Sequence, residues 1–293
     1  MNIKLYIGAH KTATTHIQGL LSSSRNTLLE NDISLSTPSD IRPLWSHFLN
    51  PNIKSKNATS AADLVKNSPT SGVWIFADEY FCGVLYDFKI KQGIYPNLRG
   101  TLVAFKNLFP NAEIEVFFSI RSYDTYYASC YLEAIRNNGF FSFAEYYDDT
   151  RYSSNSWHEV VVAIVDVLGE QNQLKLWCYE DFSLVLPKVI KKMTGLENTT
   201  IGGIISAYKT EKTRPSISQK ALNILETQQP FDTKEEAKQL LEELNDKYPA
   251  SPDNGYFAPF EQRKVDQLRT QYRADVELIR HDYPNIDFLN PNQ

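Results

Sequence analysis

Short apolar runs alternate with helical patterns through the first two thirds of this chain, and that alternation limits the possible folds more than any other feature. The apolar runs, which we interpret as strands, lie at residues 2–8, 72–80, 112–121 and 173–182. The helical patterns lie at residues 14–30, 98–109, 122–139, 142–149, 156–169 and 183–193. Alternation of strand and helix is typical of right-handed βαβ units. The sequence therefore predicts an α/β fold of three layers, α/β/α, around a central, mostly parallel sheet.

The remainder of the chain contains no clear linker. Residues 34–70 are polar and contain four prolines, so we expect them to be rich in loops. After about residue 205 the sequence predicts charged helices, with a capping-box pattern at SISQ (216–219) and TKEE (233–236) and a long helix at 261–283. We therefore expect residues 1–293 to form a single domain with a helical C-terminal part.

Composition and charge disfavour several classes of protein. The formal net charge of −5 argues against a general nucleic-acid binder, which usually carries a basic surface. The three cysteines, Cys82, Cys130 and Cys178, are far apart and form no zinc-type cluster, so we expect no metal site there. The sequence has no secretory leader pattern and no run of about 18 apolar residues. A cytoplasmic protein without a transmembrane segment is the resulting expectation.

A polar turn, GAHKTATT (8–15), connects the first predicted strand to the first predicted helix. A loop after a parallel strand lies at the edge of the sheet where ligands bind, and a helix N-terminus next to it favours an anion. Lys11 adds a positive charge, and the three threonines add hydroxyl donors. The turn therefore predicts a site for a phosphate or sulfate oxygen.

The spacing of the turn differs from two common nucleotide-binding motifs. The ATP and GTP signature is G-x-x-x-x-G-K-[ST], but here Gly8 lies only three residues before Lys11 and no glycine directly precedes the lysine. The turn also lacks the G-x-G-x-x-G pattern of dinucleotide-binding proteins. Both of those interpretations are weakened.

The spacing G-x-x-K-T-x-T-T resembles instead the 5′-phosphosulfate loop of sulfotransferases that use 3′-phosphoadenosine 5′-phosphosulfate (PAPS). That family's loop is G-x-x-K-[TS]-G-[TS]-[TS], so Ala13 stands here in place of the usual glycine. If this position requires a positive φ, alanine costs roughly 1 kcal/mol. The resemblance implies a P-loop-like fold. It also implies that the cofactor is bound by Gly8, Lys11, Thr12, Ala13, Thr14 and Thr15.

A second motif supports the resemblance. In FFSIRSYDTYYASCY (117–131) a predicted strand delivers Arg121, and Ser129 follows eight residues later on a predicted helix. This is similar to the family's 3′-phosphate site, R-x-P-x-x-R-x-x-S-x-Y, although Tyr123 replaces the proline and Tyr126 the second arginine. The segments LWCYEDF (176–182) and YRADVELIRHDYP (272–284) show a weaker similarity to the family's late strand and closing helix. Together they resemble a bacterial-type sulfotransferase.

The resemblance implies transfer of a sulfuryl group from PAPS to a hydroxyl or amine of a small-molecule or carbohydrate-like acceptor, with PAP as the product and no metal required. Lys11 would neutralise charge on the leaving phosphate, and Arg121 with Ser129 would hold the 3′-phosphate. Arginine suits this role because its planar guanidinium pairs with two phosphate oxygens.

The acceptor also needs a general base. Glu79 is the first candidate because WIFADEYF (74–81) places it just past a buried strand. Its neighbour Asp78 and the two histidines that flank the loop, His10 and His16, are further candidates, and His10 could also shape the loop. We therefore take Lys11, Glu79 and His10 as the candidate catalytic residues.

Two other functions remain open. VWIFADE (73–79) also resembles a Walker B strand, whose acids bind Mg²⁺, so an ATP-dependent small-molecule kinase or P-loop NTPase is one alternative. An inactive nucleotide-binding module is another. The expected acceptor cleft lies among the loops 38–70, 139–156 and 249–260, and Lys212 or Arg214 could extend the 3′-phosphate site. The sequence leaves the acceptor and the oligomeric state open.

Overall fold

The computed structural model describes residues 1–44, 65–66, 68–69, 72–83, 94–148, 155–209 and 216–291. Its centre is a parallel sheet of six strands in the order β2-β3-β1-β4-β5-β6. The strands are β1 (Asn2–Tyr6), β2 (Ile33–Ser36), β3 (Val73–Ala77), β4 (Glu113–Ile120), β5 (Leu174–Cys178) and β6 (Asp287–Phe288). The first strand is therefore central and pairs with β3 on one side and β4 on the other.

Helices cover both faces of the sheet. They are α1 (Thr14–Ser23), α2 (Arg25–Leu29), α3 (Pro38–Ile41), α4 (Leu98–Leu108), α5 (Tyr123–Asn138), α6 (Phe143–Tyr146), α7 (Trp157–Leu168), α8 (Phe182–Thr194), α9 (Asn198–Ala207), α10 (Gln219–Thr227), α11 (Lys234–Lys247) and α12 (Gln262–Asp282). Short 3₁₀ turns follow α3, β3 and β5 and precede β5, at Arg42–Leu44, Glu79–Cys82, Tyr179–Asp181 and Gln171–Gln173.

Alternating side chains of the strands supply two separate cores. Ile3 and Leu5 of β1 pack with α4, α5 and α7 on one face, whereas Tyr6 packs with α1, α8 and α9 on the other. This is the pattern expected of a strand whose successive side chains point to opposite faces. The predicted three-layer α/β/α architecture is confirmed, and the sheet is parallel throughout.

Two strands were not predicted from the sequence. The expected loop at 34–70 begins instead with β2 and continues into α3, where Thr37 and Asp40 form a capping box. Residues 287–288 form β6, which pairs with β5, so the part of the chain after residue 205 is not wholly helical. After α3 the described part of this predicted loop comprises the 3₁₀ turn Arg42–Leu44 and residues 65–66 and 68–69. Its other residues lie outside the described ranges.

Two helix boundaries also differ from the predictions. The single helix expected at 14–30 is interrupted at Ser24, which separates α1 from α2. The cap of α10 is Ser218 rather than Ser216, because the Ser218 hydroxyl accepts a hydrogen bond from the backbone of Ala221. Thr233 does cap α11, as its position in TKEE predicted.

The long helix α12 packs against α5 and α7, which both border the carboxyl edge of the sheet. Asp275 of α12 joins all three helices, because it accepts hydrogen bonds from Tyr123 of α5 and from the backbone of Trp157 in α7. The C-terminal part of the chain thus braces the helix that carries Ser129. Among the helices that the structure describes, none is both long and apolar enough to cross a membrane.

Candidate functional site

A cavity of about 610 Å³ opens at the carboxyl edge of the sheet. We call it the loop cavity, because the turn after β1 forms one of its walls. Side chains that follow β3, β4 and β5 and one face of α5 complete it. Its lining comprises His10, Lys11, Ala13, Thr14, Thr15, Arg42, Glu79, Tyr80, Arg121, Ser129, Glu133, Ala134, Asn137, Asn138 and Tyr179.

The turn has an unusual backbone. Lys11 and Ala13 adopt positive φ angles of 62° and 61°, and Ala13 is the left-handed residue that precedes α1. An alanine in this conformation is strained by roughly 1 kcal/mol relative to glycine. Gly8 also has a positive φ, of 34°, and a Cβ there would lie 2.6 Å from Cγ2 of Thr14. Gly8 therefore permits the tight turn without itself lining the cavity.

Buried hydrogen bonds to the sheet and within the turn itself hold the turn in place. The Thr12 hydroxyl donates to the Ala9 carbonyl at 2.5 Å and accepts from Ser119 of β4 at 2.5 Å. Thr12 is fully buried, so its side chain stabilises the turn and does not line the cavity. The backbone N–H of His10 donates to the Tyr95 hydroxyl at 2.8 Å.

The turn presents unused backbone donors. Throughout the part of the chain that the structure describes, the backbone N–H groups of residues 11–15 donate to no protein acceptor. They lie at the N-terminus of α1, whose dipole adds partial positive charge. Consecutive unpartnered N–H groups at such a position form a concave site for an anion.

Lys11 reaches across the cavity to α5. Its ammonium lies 3.1 Å from Oε2 of Glu133, and both side chains are about one quarter exposed, at 29% and 23%. Burial tends to raise the pKa of Glu133, but the charge and hydrogen bond of Lys11 outweigh this and lower it, with help from Asn137 and Arg136. Glu133 is therefore ionised at neutral pH and serves as the counterion of Lys11.

Arg121 connects the end of β4 to the turn. One guanidinium nitrogen donates to the Lys11 carbonyl at 2.6 Å, and Nε donates to the Thr125 hydroxyl at 3.0 Å. The guanidinium also lies over the ring of Tyr179, 4.5 Å from its centroid. Arg121 has five N–H donors, and these two bonds leave others for a ligand in the cavity.

The hydroxyl-bearing residues of the predicted site lie beside these cations. Thr14 is buried, Thr15 is exposed and Ser129 is half-buried, and all three line the cavity. Within the described ranges, the Ser129 hydroxyl has no hydrogen-bond partner in the protein. The structure thus brings the two sequence motifs, 8–15 and 121–129, to one cavity.

Glu79 also lines the cavity, from the 3₁₀ turn after β3. Its Oε2 accepts from the Gln18 amide at 2.7 Å, and its Oε1 accepts from Arg42 at 3.2 Å. Each carboxylate oxygen has a second lone pair, so these bonds orient Glu79 and leave it able to accept another proton or hydrogen bond.

Asp78 has a structural role instead. It is fully buried, and both of its oxygens accept hydrogen bonds from Arg42 at 3.1 Å. Burial raises the pKa of Asp78, and the Arg42 hydrogen bond partly offsets that rise. One oxygen also caps the 3₁₀ turn through the backbone of Tyr80. Asp78 does not line the cavity and is therefore poorly placed to act on a ligand.

His10 is the buried member of the site. Only 5% of its surface is exposed. Its Nδ1 lies 3.1 Å from the Tyr95 hydroxyl, and the Tyr95 hydroxyl lies 3.0 Å from the Tyr126 hydroxyl. Desolvation lowers the pKa of His10 to about 3, although Asp78 acts in the opposite direction. The imidazole is therefore neutral at physiological pH.

Several predicted residues lie elsewhere. His16 packs edge-on against Phe182 and Tyr208, 5.6 and 5.1 Å between ring centroids, and does not line the loop cavity. Lys212 and Arg214 lie outside the described residues, as do parts of the loops expected to form the acceptor cleft. Phe257, from the predicted loop at 249–260, packs on Tyr131 and Phe143.

Sequence analysis did not identify Glu133, Arg42 or Gln18. Glu133 lies one helical turn after Ser129, so a search for polar residues at i+4 spacing on that helix would have found it. Arg42 and Gln18 carry no comparable signal, because they reach Glu79 across 37 and 61 residues of sequence.

A second cavity of about 600 Å³ borders the first, and Arg121 and Tyr179 belong to both walls. We call it the α12 cavity, because Arg269, Tyr272 and Arg273 of α12 line it. Its carboxylates, Asp124 and Glu180, belong to the segments after β4 and β5.

Among the residues that can be described, no group of three or more His, Cys, Asp or Glu side chains is arranged to hold a metal ion. Comparison with protein-family models found no matching family, and comparison with curated proteins found no match.

Proposed function

We propose that this protein is a sulfotransferase that moves a sulfuryl group from PAPS to a hydroxyl or amine of a small or carbohydrate-like acceptor. The observation that carries the proposal is the convergence on one cavity of Lys11, Arg121, Ser129 and the lining residues of the turn, 11 and 13–15, whose N–H groups have no protein acceptor among the described residues. These groups are separated by up to about 120 residues of sequence. Within the described protein, Lys11 pairs with Glu133 and Arg121 supports the turn.

The backbone of the turn supplies the part of the site that suits the 5′-phosphosulfate. The N–H groups of Lys11, Ala13, Thr14 and Thr15, at the N-terminus of α1, would bind its oxygens together with the hydroxyls of Thr14 and Thr15. Such preorganised donors stabilise charge that develops on a leaving group, because they need not reorient during the reaction. Ala13 in the left-handed conformation fits the place where the related loops have glycine.

Lys11 is the candidate for neutralising the leaving phosphate. During transfer the bond between sulfur and the bridging oxygen breaks, and a bond between sulfur and the acceptor oxygen forms. Negative charge accumulates on the departing oxygen, where an ammonium is most effective. Lys11 must exchange its partner Glu133 for the ligand to act in this way, and the exposure of both side chains permits the exchange.

Arg121 and Ser129 are the candidates for the 3′-phosphate that distinguishes PAPS from other nucleotides. Arg121 is held in place by the Lys11 carbonyl and the Tyr179 ring, so its remaining donors are preorganised. A guanidinium and a hydroxyl on one wall match the acceptors of a phosphate group.

Glu79 is the candidate for the general base. It would take the proton that the acceptor hydroxyl loses as the new bond to sulfur forms. Arg42 and Gln18 fix its carboxylate at the wall of the cavity, so that the acceptor can be placed against it. Glu133 is less suited to this role, because it is the counterion of Lys11, which lowers the pKa of Glu133.

The Walker B interpretation of VWIFADE receives less support. In that interpretation Asp78 would help to bind Mg²⁺, but its two oxygens are already engaged by Arg42. A kinase or NTPase therefore remains an outcome of the test below rather than a second proposal.

The test is a panel of nucleotides, PAP, 5′-AMP, ADP and ATP with Mg²⁺, measured by calorimetry and thermal shift. A ligand at one hundred times its Kd stabilises the fold by about 2.7 kcal/mol. We expect PAP to bind much more tightly than AMP, since only PAP carries a 3′-phosphate. If ATP with Mg²⁺ binds more tightly than PAP, the sulfotransferase proposal is wrong and a kinase or NTPase is the better assignment. Lys192→Ala is the control variant, because Lys192 lines neither the loop cavity nor the α12 cavity. It should bind each nucleotide as the wild type does.

A further inference from the structure

His10 combines burial with an unsatisfied ring nitrogen. It contributes to the wall of the loop cavity, and its Nε2 is fully buried without a hydrogen-bond partner among the residues the structure describes. A buried polar atom without a hydrogen-bond partner destabilises the fold, because it has lost its bonds to water and gained none in the protein. Because His10 is one of the residues that line the loop cavity, a ligand bound there is a candidate partner for this nitrogen.

The protonation state limits what His10 can do. Burial lowers its pKa to about 3, and four charged groups around it act in opposite directions: Asp78 and Glu133 raise the pKa, whereas Lys11 and Arg42 lower it. A neutral imidazole carries one N–H and one lone pair. With so low a pKa it is a poor base for the proton of an acceptor hydroxyl near neutral pH.

The partner of Nδ1 determines which tautomer is possible. The Tyr95 oxygen accepts the backbone N–H of His10 and also lies within hydrogen-bond distance of Nδ1 and of the Tyr126 hydroxyl. If the Tyr95 hydroxyl donates to Nδ1, the ring proton is on Nε2. If Nδ1 donates to Tyr95 instead, Nε2 carries a lone pair. Both arrangements satisfy the tyrosine.

We infer that His10 binds the sulfuryl donor as a neutral hydrogen-bond donor, through Nε2–H to an anionic oxygen of the 5′-phosphate or sulfuryl group, and does not act as a general base. This inference rests on the proposed function. An anionic oxygen can only accept, so it favours the tautomer in which Tyr95 donates to Nδ1 and Nε2 carries the proton. Repulsion between a nitrogen lone pair and the anion disfavours the other tautomer.

Three variants separate this role from a structural one. Gln places an amide nitrogen near the position of Nε2, Asn places its amide nearer to Nδ1, and Ala removes both. We expect His10→Gln to bind PAP within about threefold of the wild type, and His10→Asn and His10→Ala to bind it at least tenfold more weakly. Thermal unfolding of each variant without ligand shows whether the turn is retained.

A spectroscopic readout tests the tautomer directly. In the PAP complex at pH 7, ¹⁵N spectra of the histidine side chains should show the His10 Nε2 protonated and Nδ1 unprotonated. An unprotonated Nε2 in the complex would overturn the inference. Equal PAP affinity of the wild type and His10→Ala would also overturn it.

Failure of the proposed function gives a different result. If the wild type binds ATP with Mg²⁺ and not PAP, the sulfotransferase proposal fails, and the three variants are measured with ATP instead. The same order of affinities would then support the donor role of His10 for a phosphate oxygen. If the wild type binds none of the nucleotides, both proposals fall.

Discussion

The two cavities at the carboxyl edge have nearly the same volume, about 610 and 600 Å³, but differ in how their polar groups are used. In the α12 cavity Asp124 accepts from Arg269 and from Ser122, and Glu180 accepts from the Ser122 backbone and from Tyr272. All four carboxylate oxygens therefore have donors within the protein.

In the loop cavity the donors outnumber the acceptors that the protein provides. In the described part of the chain the backbone N–H groups of residues 11–15 have no protein acceptor, and the Ser129 hydroxyl and the His10 Nε2 have no hydrogen-bond partner. Among the described residues, the one carboxylate paired with Lys11 is that of Glu133. The difference teaches that unused hydrogen-bonding capacity, more than volume, distinguishes a candidate anion site from a cavity whose polar groups serve the fold.

The largest expected effect is that of Lys11→Ala. Removing the only ammonium among the described residues that line the loop cavity should lower sulfuryl transfer more than about 10³-fold, because charge on the leaving phosphate is no longer neutralised. Folding should change little, since Lys11 is partly exposed and the turn is held by Thr12 and Arg121. Turnover is measured with PAPS and a panel of sugar and phenol acceptors, and retained activity would remove Lys11 from the mechanism.

The next effect separates the two carboxylates of the loop cavity. Glu79→Gln should reduce turnover by about 10²-fold or more, because the amide cannot take the acceptor's proton, and should leave PAP affinity unchanged. Glu133→Gln is the matched comparison. It removes the anion that competes for Lys11, so PAP should bind more tightly to this variant. If the two variants exchange these behaviours, Glu133 is the base.

A third prediction compares arginines of the two cavities. Arg121→Ala should weaken PAP by about 10- to 100-fold, the effect of losing a hydrogen bond to a charged group. Arg269→Ala should leave PAP affinity unchanged, because Arg269 lines only the α12 cavity and pairs with Asp124. Both affinities are measured by calorimetry, with 5′-AMP as the ligand that lacks the 3′-phosphate. Equal losses for PAP and AMP in Arg121→Ala would contradict its assignment to that phosphate.

The smallest effect concerns stability alone. Ala13→Gly should raise the free energy of unfolding by up to about 1 kcal/mol, because glycine adopts a positive φ without strain. Ala104→Gly in α4 is the control and should lower it by about the same amount, since glycine is a poor helix former. Thermal or urea unfolding measures both. A loss of stability in Ala13→Gly would mean that the turn is not strained at this position.

The main strands and helices could be predicted because each carries a clear pattern. The buried apolar runs that became β3 and β4 were located to within a few residues. By contrast β2 and β6 are four and two residues long, and neither ISLS nor DF is distinguishable from a loop by periodicity. They form strands because a neighbouring strand supplies the hydrogen bonds, and a short sequence window does not contain that neighbour.

The candidate site divides in the same way. Lys11 and Arg121 could be expected to meet, because both follow parallel strands and therefore lie at the same edge of the sheet. The contact between Lys11 and Glu133 spans 122 residues, and that between Arg42 and Asp78 spans 36. Such pairings depend on how helices are placed over the sheet. As a result, the sequence alone does not show that Arg42 engages both oxygens of Asp78 or that Glu133 is the counterion of Lys11.

The central position of β1 has a consequence for the order in which the molecule can form. Its five residues pair with residues 73–77 and 113–117, and Arg121 then secures the turn that follows it. During synthesis the ribosome makes the turn at 8–15 before either strand that flanks β1, and those strands, which end at residues 77 and 117, follow much later. The nascent turn therefore waits for distant partners, and such long-range pairing slows folding because loop closure must precede the contacts that stabilise it. A chaperone acting on this protein would meet the first strand unpaired.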